Sequence, residues 1–202
     1  MSYSKKSVVK KSVLIIFAIL LVDQISKIYV KTHFVLGEDV RVFDWFRIYF
    51  VENPGMAFGI EFVGKLFLTL FRIVAVCILA IFIHRLIADG ARQGFVLTIA
   101  MVLAGAAGNI IDSVFYGVIF SESTTATVAQ FLPEVGGYAP LLHGRVVDML
   151  YFPIIHGSNG NVLFFSPVFN IADSAITVAI FLILFFFLKD LNKSLERKKV
   201  AE

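Results

Sequence analysis

Residues Phe169–Leu188 read FNIADSAITVAIFLILFFFL. From Ile176 to Leu188 there is no charged group. The whole stretch has the length of one bilayer crossing, which takes about 20 mostly apolar residues. It nevertheless opens on an amide and a carboxylate, Asn170 and Asp173, groups that a hydrocarbon solvent penalises. An apolar span with acids and amides near one end is the pattern that recurs along the chain.

Four windows have this character, at about 12–31, 64–88, 94–117 and 167–189. The composition agrees: 58% of the 202 residues are hydrophobic and 16% charged, against about 25% charged in soluble domains. The first window is unusual, because its uninterrupted run, Val13–Val22, is too short to cross. Lysine pairs precede it, as in a cleaved signal peptide. No small-residue cleavage site follows, however, and the pattern resumes through Ile28, Tyr29 and Val30, so we read it as a retained helix. The expected fold class is an all-α polytopic membrane protein in one domain spanning 1–202. Cys77, the one cysteine, lies inside an apolar run and reads as lipid-facing or packed. The net charge of +3 gives little support for a nucleic-acid partner, because the basic residues sit at helix ends.

Those ends set the expected topology, since short cytoplasmic flanks carry an excess of Lys and Arg. Lys5, Lys6, Lys10 and Lys11 precede the first window. Arg85 and Arg92 lie between the second and third, and Lys189, Lys193, Arg197, Lys198 and Lys199 follow the fourth. Both termini are then expected in the cytoplasm, with loops 32–63 and 118–166 facing outward. In the first of these, Val40–Val51 (VRVFDWFRIYFV) has the β-branched and aromatic content of a strand pair or of a strand with an interfacial edge, and Trp45, Tyr49 and Phe50 suit a membrane interface. The second contains Ser121–Ala126 (SESTTA), Pro133 and Gly136-Gly137, and reads either as a mobile lid or as a spacer.

Polar and ionisable residues inside spans are functional candidates by default. They are Asp23, Lys27, Arg72, Asn109, Asp112, Asn170 and Asp173, joined by Asp148 in the apolar run Val146–Leu150. Given the topology, all except Arg72 fall near the outward ends of the spans. Asn109-x-x-Asp112 and Asn170-x-x-Asp173 place an amide and a carboxylate on one helix face, where the amide can orient the acid. Gly105, Ala106, Ala107, Gly108, Ala172 and Ser174 would let helices approach closely. The amides also fit plain interhelical bonding or capping, and Asp23 with Lys27 fits a structural ion pair as well as a substrate contact. Arg72 reads as structural or snorkelling.

His33, His84, His143 and His156 are scattered, and no metal motif or phosphate loop occurs. Carboxylates at one depth remain. Two in contact share a proton, one serving as base on water and the other as acid toward a carbonyl, which is aspartyl-protease chemistry. Buried acids also relay protons, so a small proton-coupled transporter stays open, although spans two and four show none of the Gly or Pro breaks common in transporters. A non-catalytic binding protein is a third reading.

Five blocks occur in order: Asp23-Gln24-x-x-Lys27, Asn53-x-Gly55-x-Ala57-Phe58-Gly59, Gly108-Asn109-x-x-Asp112, Val146-Val147-Asp148, and Phe169-Asn170-x-Ala172-Asp173-Ser174. Together they make the chain resemble the bacterial lipoprotein signal peptidases (signal peptidase II) from about residue 14 to 185. The resemblance implies four transmembrane helices with a small β-rich extracytoplasmic cradle, in the bacterial inner membrane, and a site at the outer leaflet. It implies Asp148 and Asp173 as the catalytic dyad with no metal or other cofactor. Asn53, Asn109 and Asn170 would position the site or substrate, with Asp23, Lys27 and Asp112 supporting it beside Gly108 and Ala172. The substrates implied are prolipoproteins with a diacylglyceryl-modified cysteine, cut just before that cysteine, with membrane lipids as the other partner; oligomeric state is not implied. Three departures stand out. Ser113 occupies the place of a common Arg, and Arg145 is expected to supply the missing cation. Met149 stands where an aromatic is usual, and 118–143 is longer than a compact relative needs.

Overall fold

The computed structural model describes residues 4–54, 64–156, 162–164 and 167–200. Among these are four helices long and apolar enough to cross a membrane: Lys5–His33, Lys65–Ala88, Gln93–Ile119 and Ile171–Glu196. In chain order the elements are α1 (Lys5–His33), β1 (Asp39–Phe43), β2 (Phe46–Asn53), α2 (Lys65–Ala88) and α3 (Gln93–Ile111). A π-helical turn, Asp112–Tyr116, joins α3 to α4 (Gly117–Ile119). Then come β3 (Val146–Tyr151), β4 (Ile155–His156), β5 (Val162–Phe164), α5 (Ile171–Leu182), a second π-helical turn, Ile183–Phe187, and α6 (Leu188–Val200).

The first and last helices outrun their apolar windows, α1 starting at Lys5 and α6 continuing to Val200. Lysine, glutamate and arginine favour helix when solvated, so the backbone need not stop where the hydrocarbon does. At that end Lys5 Nζ donates to Ala88 O over 2.6 Å, and Arg92 lies over the Phe187 ring. A packed cluster of Val8, Ile83, Leu86, Phe95, Val96, Ile99 and Ala100 sits there. A second cluster, Val30, Phe50, Tyr116, Phe120, Ala129, Val147 and Met149, sits at the opposite end. Between the two, Phe17, Phe71, Phe185 and Cys77 are exposed on the helix flanks, as lipid-facing residues are.

Lipid tails supply no hydrophobic drive for helix pairing, so close approach depends on small residues. A Cβ on Gly105 would stand 2.3 Å from Ala172 O and 2.6 Å from Ile176 Cγ1, and one on Gly108 would stand 2.7 Å from Asp23 Oδ2. The third span is thus wedged against both the first and the fourth through atoms that cannot easily move. Gly105→Ala should cost about 1–3 kcal/mol by overpacking, measured by reversible SDS-induced unfolding in mixed micelles; unchanged stability would show that the helices can part without loss.

The expected strand pair is β1–β2, antiparallel, extended by β3 into a sheet ordered β1-β2-β3. The β2–β3 register places Val51 opposite Asp148 and Asn53 opposite Val146. Phe169, just ahead of α5, bridges Leu150 of β3, so the sheet is stitched to the start of the fourth span. Trp45 is exposed and stacks on Phe43 and Phe152, but Phe50 is fully buried. Its expected interfacial position is corrected: it packs inward in the cluster with Val30, Tyr116 and Phe120. The loop after α4 is neither a free lid nor a slack spacer. Ser121 N, Leu132 N, Tyr138 N, Ala139 N, Leu142 N and Gly144 N donate to Gln130, Ile119, Phe120, Gly117, Val114 and Ser113 carbonyls respectively, so much of it is laced to the end of the third span.

Candidate active site

Lysine is the natural starting point, because its ammonium can only donate. Lys27 is buried, and its Nζ lies 2.9 Å from Asp23 Oδ2 and 2.9 Å from Asp112 Oδ2, with Asn109 Oδ1 at 2.8 Å. Accepting from Lys27 fixes which way the Asn109 amide faces, and its Nδ2 therefore donates to Asp173 Oδ1 at 2.8 Å. Asn109 Oδ1 also accepts from Asn170 Nδ2 at 3.1 Å. One cation thus sets the polarity of a chain of amides.

Asn170 is the next link. It caps α5 reciprocally: its Oδ1 accepts from Asp173 N at 2.9 Å, and Asp173 Oδ2 accepts from Asn170 N at 3.4 Å. This capping box satisfies amides that a helix start leaves without partners. Its Nδ2 then donates to Asp148 Oδ1 at 2.7 Å and to Val147 O at 3.3 Å. Asp148 on β3 and Asp173 on α5 are consequently held by one side chain. Burial pushes the Asp148 carboxyl up to about 7, and the negative charge of Asp173 adds to the rise; the Asn170 hydrogen bond and the charge of Lys27 oppose it.

The two acids beside Lys27 fasten these elements in place. Asp23 Oδ1 accepts from Ala172 N at 2.8 Å, tying α1 to α5. Asp112 Oδ2 accepts from Val147 N at 3.2 Å, tying the third span to β3. Gln24, quoted in the first motif but not singled out, donates to Asp112 Oδ1 at 3.0 Å and accepts from Tyr116 Oη at 3.1 Å. An amide in a span beside an acid was the signal for it.

Asp23, Lys27, Gly108, Asn109, Asp112, Asp148, Asn170, Ala172 and Asp173 therefore come together, and Asn53 ends the strand paired with β3. Gly55, Ala57, Phe58 and Gly59 lie outside the described residues. Arg145 departs from expectation. Its Nη1 lies 3.1 Å from Glu52 Oε2 and 2.6 Å from Glu122 Oε1, its guanidinium rests on the Tyr138 ring, and it makes no ion pair with Asp112 or Asp148. The cation at Asp112 is Lys27. Ser113 turns back on its own helix, donating to Asn109 O at 2.9 Å.

Arg145 belongs instead to a second polar group that sequence reasoning did not assemble. Lys31, buried, pairs with Glu52 and donates to Ser123 Oγ at 2.9 Å, under the Phe120 and Tyr138 rings. It joins α1, β2 and the long loop. Lys31 reads as an ordinary flanking lysine until the fold brings Glu52 to it.

The chain is similar to known proteins over nearly all of this framework. The family model described as signal peptidase (SPase) II matches residues 15–189. The lipoprotein signal peptidase of Porphyromonas gingivalis is 46% identical over 195 residues, covering 92% of this chain and 86% of that protein. That of Amoebophilus asiaticus is 33% identical, covering 80% and 71%. A solved bacterial membrane enzyme superposes with a TM-score of 0.60 at 26% identity, covering 90% of each chain. These matches take in every element that reaches the polar cluster, from Asp23 to Asp173, and on them the chain is a multi-pass membrane peptidase that belongs to the signal peptidase II family.

Proposed function

We propose that the protein is an aspartyl endopeptidase that removes signal peptides from diacylglyceryl-modified prolipoproteins, cutting just before the lipidated cysteine, with Asp148 and Asp173 as its dyad. The observation that carries the mechanism is the arrangement of these two carboxyls. They come from different elements, share Asn170 as a bridge, and one is raised to about 7 by burial and by the charge of the other. Such a pair holds one proton between two acids near neutral pH. Asp148, protonated, donates to the scissile carbonyl oxygen. Asp173, acting as the base, takes a proton from the attacking water. Collapse of the resulting diol breaks the C–N bond; the amine leaves with the proton held by Asp173, and Asp148 recovers its own. The products are a new carboxyl terminus and a free amine on the cysteine.

Location supports the reading. The basic flanks gather at the end of the bundle opposite the sheet, so the positive-inside bias puts both termini in the cytoplasm and the dyad at the outer leaflet of the bacterial cytoplasmic membrane. A diacylglyceryl cysteine is anchored at that depth. Asn53, Asn109 and Asn170 supply amides for the substrate backbone or the dyad, and the close packing around Gly108 and Ala172 suits a small residue before the cysteine. The fold acts as one domain.

The test is cleavage of one purified precursor in two forms, with and without the diacylglyceryl group. The modified form should give the mobility shift of signal-peptide loss and the unmodified form should stay intact. Failure on the modified form, where a family relative cleaves it, would overturn the proposal.

A further inference from the structure

The long loop carries an apolar turn that none of the peptidase chemistry uses. Phe131, Leu132 and Val135 are 53%, 65% and 96% exposed, and from Ala126 to Pro133 the chain holds no charge. Isolated exposed apolar residues are ordinary; here the position of the turn makes them informative. Leu132 N donates to Ile119 O at 2.7 Å, and Ile119 is the last residue of the third span. Tyr138 N and Ala139 N donate to Phe120 O and Gly117 O. A Cβ on Gly137 would stand 2.1 Å from Gly117 O and 2.4 Å from Val118 O. The turn, closed by Gly136 N donating to Pro133 O at 3.0 Å, is therefore held flush against the final turn of a membrane span. On that same turn Phe115 and Val118 are 48% and 44% exposed, as lipid-facing side chains of a span are. Leu132 is moreover held at φ 51, a backbone region that bulky residues rarely occupy, with its side chain exposed.

We propose that the turn Phe131–Val135 is an interfacial anchor, seated in the headgroup–acyl boundary of the leaflet at the sheet-bearing end of the bundle, and that its occupant is the lipid bilayer. Apolar side chains on a short uncharged turn at this level extend the lipid-facing surface of the third span outward by one ring. Glu134, the one charged residue of the turn, sits where its carboxylate can reach water, as charged tips do at interfaces. The inference does not depend on which reaction the dyad performs.

Trp45 is the single tryptophan, which allows a direct measurement on the full chain. In a Trp45→Phe background, Val135→Trp is reconstituted into phosphatidylethanolamine–phosphatidylglycerol vesicles. A fraction of the lipid carries bromine on the acyl chain near the headgroup, and iodide serves as the aqueous quencher. The expected result is blue-shifted emission, most of it lost to the brominated lipid and little to iodide. Thr125→Trp, on the polar exposed turn, provides the water-facing comparison and should show the reverse. Emission at position 135 quenched by iodide as strongly as at 125 would overturn the proposal. Emission shielded from both quenchers would overturn it too, and would identify a protein partner, here a second copy of the chain, as the occupant.

Discussion

Asp148→Asn is expected to abolish most cleavage, lowering the rate by roughly 10²–10⁴-fold, the usual contribution of a positioned general acid or base, while the protein keeps its folded stability. The amide preserves shape, and its oxygen can still accept from Asn170 Nδ2, which donates to Asp148 Oδ1 at 2.7 Å. What it cannot do is give up and recover a proton. Asp173→Asn should cost at least as much activity and some stability besides. Asp173 uses one oxygen for Asn109 Nδ2 and the other for Asn170 N, and an amide has only one oxygen to offer. Loss of a cap bond of this kind costs about 0.5–2 kcal/mol. In the wild type, cleavage should fall as pH rises through about 7, because there Asp148 loses the proton it must donate. In the Asp173→Asn protein a neighbouring negative charge is gone, so Asp148 should titrate lower, visible in the pH dependence of its carboxyl infrared band. Full cleavage by either variant would mean that the wrong carboxylates have been chosen, with Asp112 next in line.

The second large effect should come from Lys27→Met. Two buried acids, Asp23 and Asp112, face that one ammonium, and removing one side of a buried ionic cluster costs about 3–5 kcal/mol because charge is left uncompensated. The loss should fall on both halves of the site at once, since Asp23 fastens Ala172 of α5 and Asp112 fastens Val147 of β3. Activity per folded molecule should fall as well: with Asn170 Nδ2 as the donor left on its oxygen, Asn109 is held less firmly with its amide toward Asp173. Adding Asp112→Asn to Lys27→Met removes one of the stranded acids and should recover part of the stability, a coupling that a double-mutant cycle measures directly. If Lys27→Met unfolds no more easily than the wild type in SDS titration, the cluster is not what holds the two elements together.

The spans and the polar cluster were legible for one reason: hydrocarbon penalises polar groups so heavily that each exception stands out in the sequence. Asp23, Asn109 and Asp173 could be placed at a common depth by counting along helices, and the small residues at Gly105 and Gly108 announced the close contacts that the fold makes. Outside the hydrocarbon that penalty disappears, and so does the signal. Lys31 looks like any flanking lysine, Glu52 like any strand-end acid, and nothing in their spacing joins them. Arg145 is expected to replace the cation missing at Ser113, yet the fold turns it to Glu52 and Glu122 and leaves Lys27 as the cation at Asp112. Phe50 was placed at the interface on its chemistry, although it packs inward in the cluster with Val30, Tyr116 and Phe120. The Asn170–Asp173 spacing allows a shared helix face or a cap, and the structure makes it a cap, with Asn170 just outside α5; that the cap also reaches Asp148 depends on β3 lying beside the helix start, which no local pattern contains.

That last arrangement bears on how the enzyme comes into being. Asn170 caps α5 and is also the residue that holds Asp148, so the proposed dyad has no precursor form before that helix exists. While the ribosome is still making residues beyond β3, the chain carries Asp148 but neither its amide partner nor Asp173. The stretch that follows β3 supplies both in one stroke, together with the helix that seats them. With the dyad proposed above, the nascent protein is latent until that helix has been made and seated.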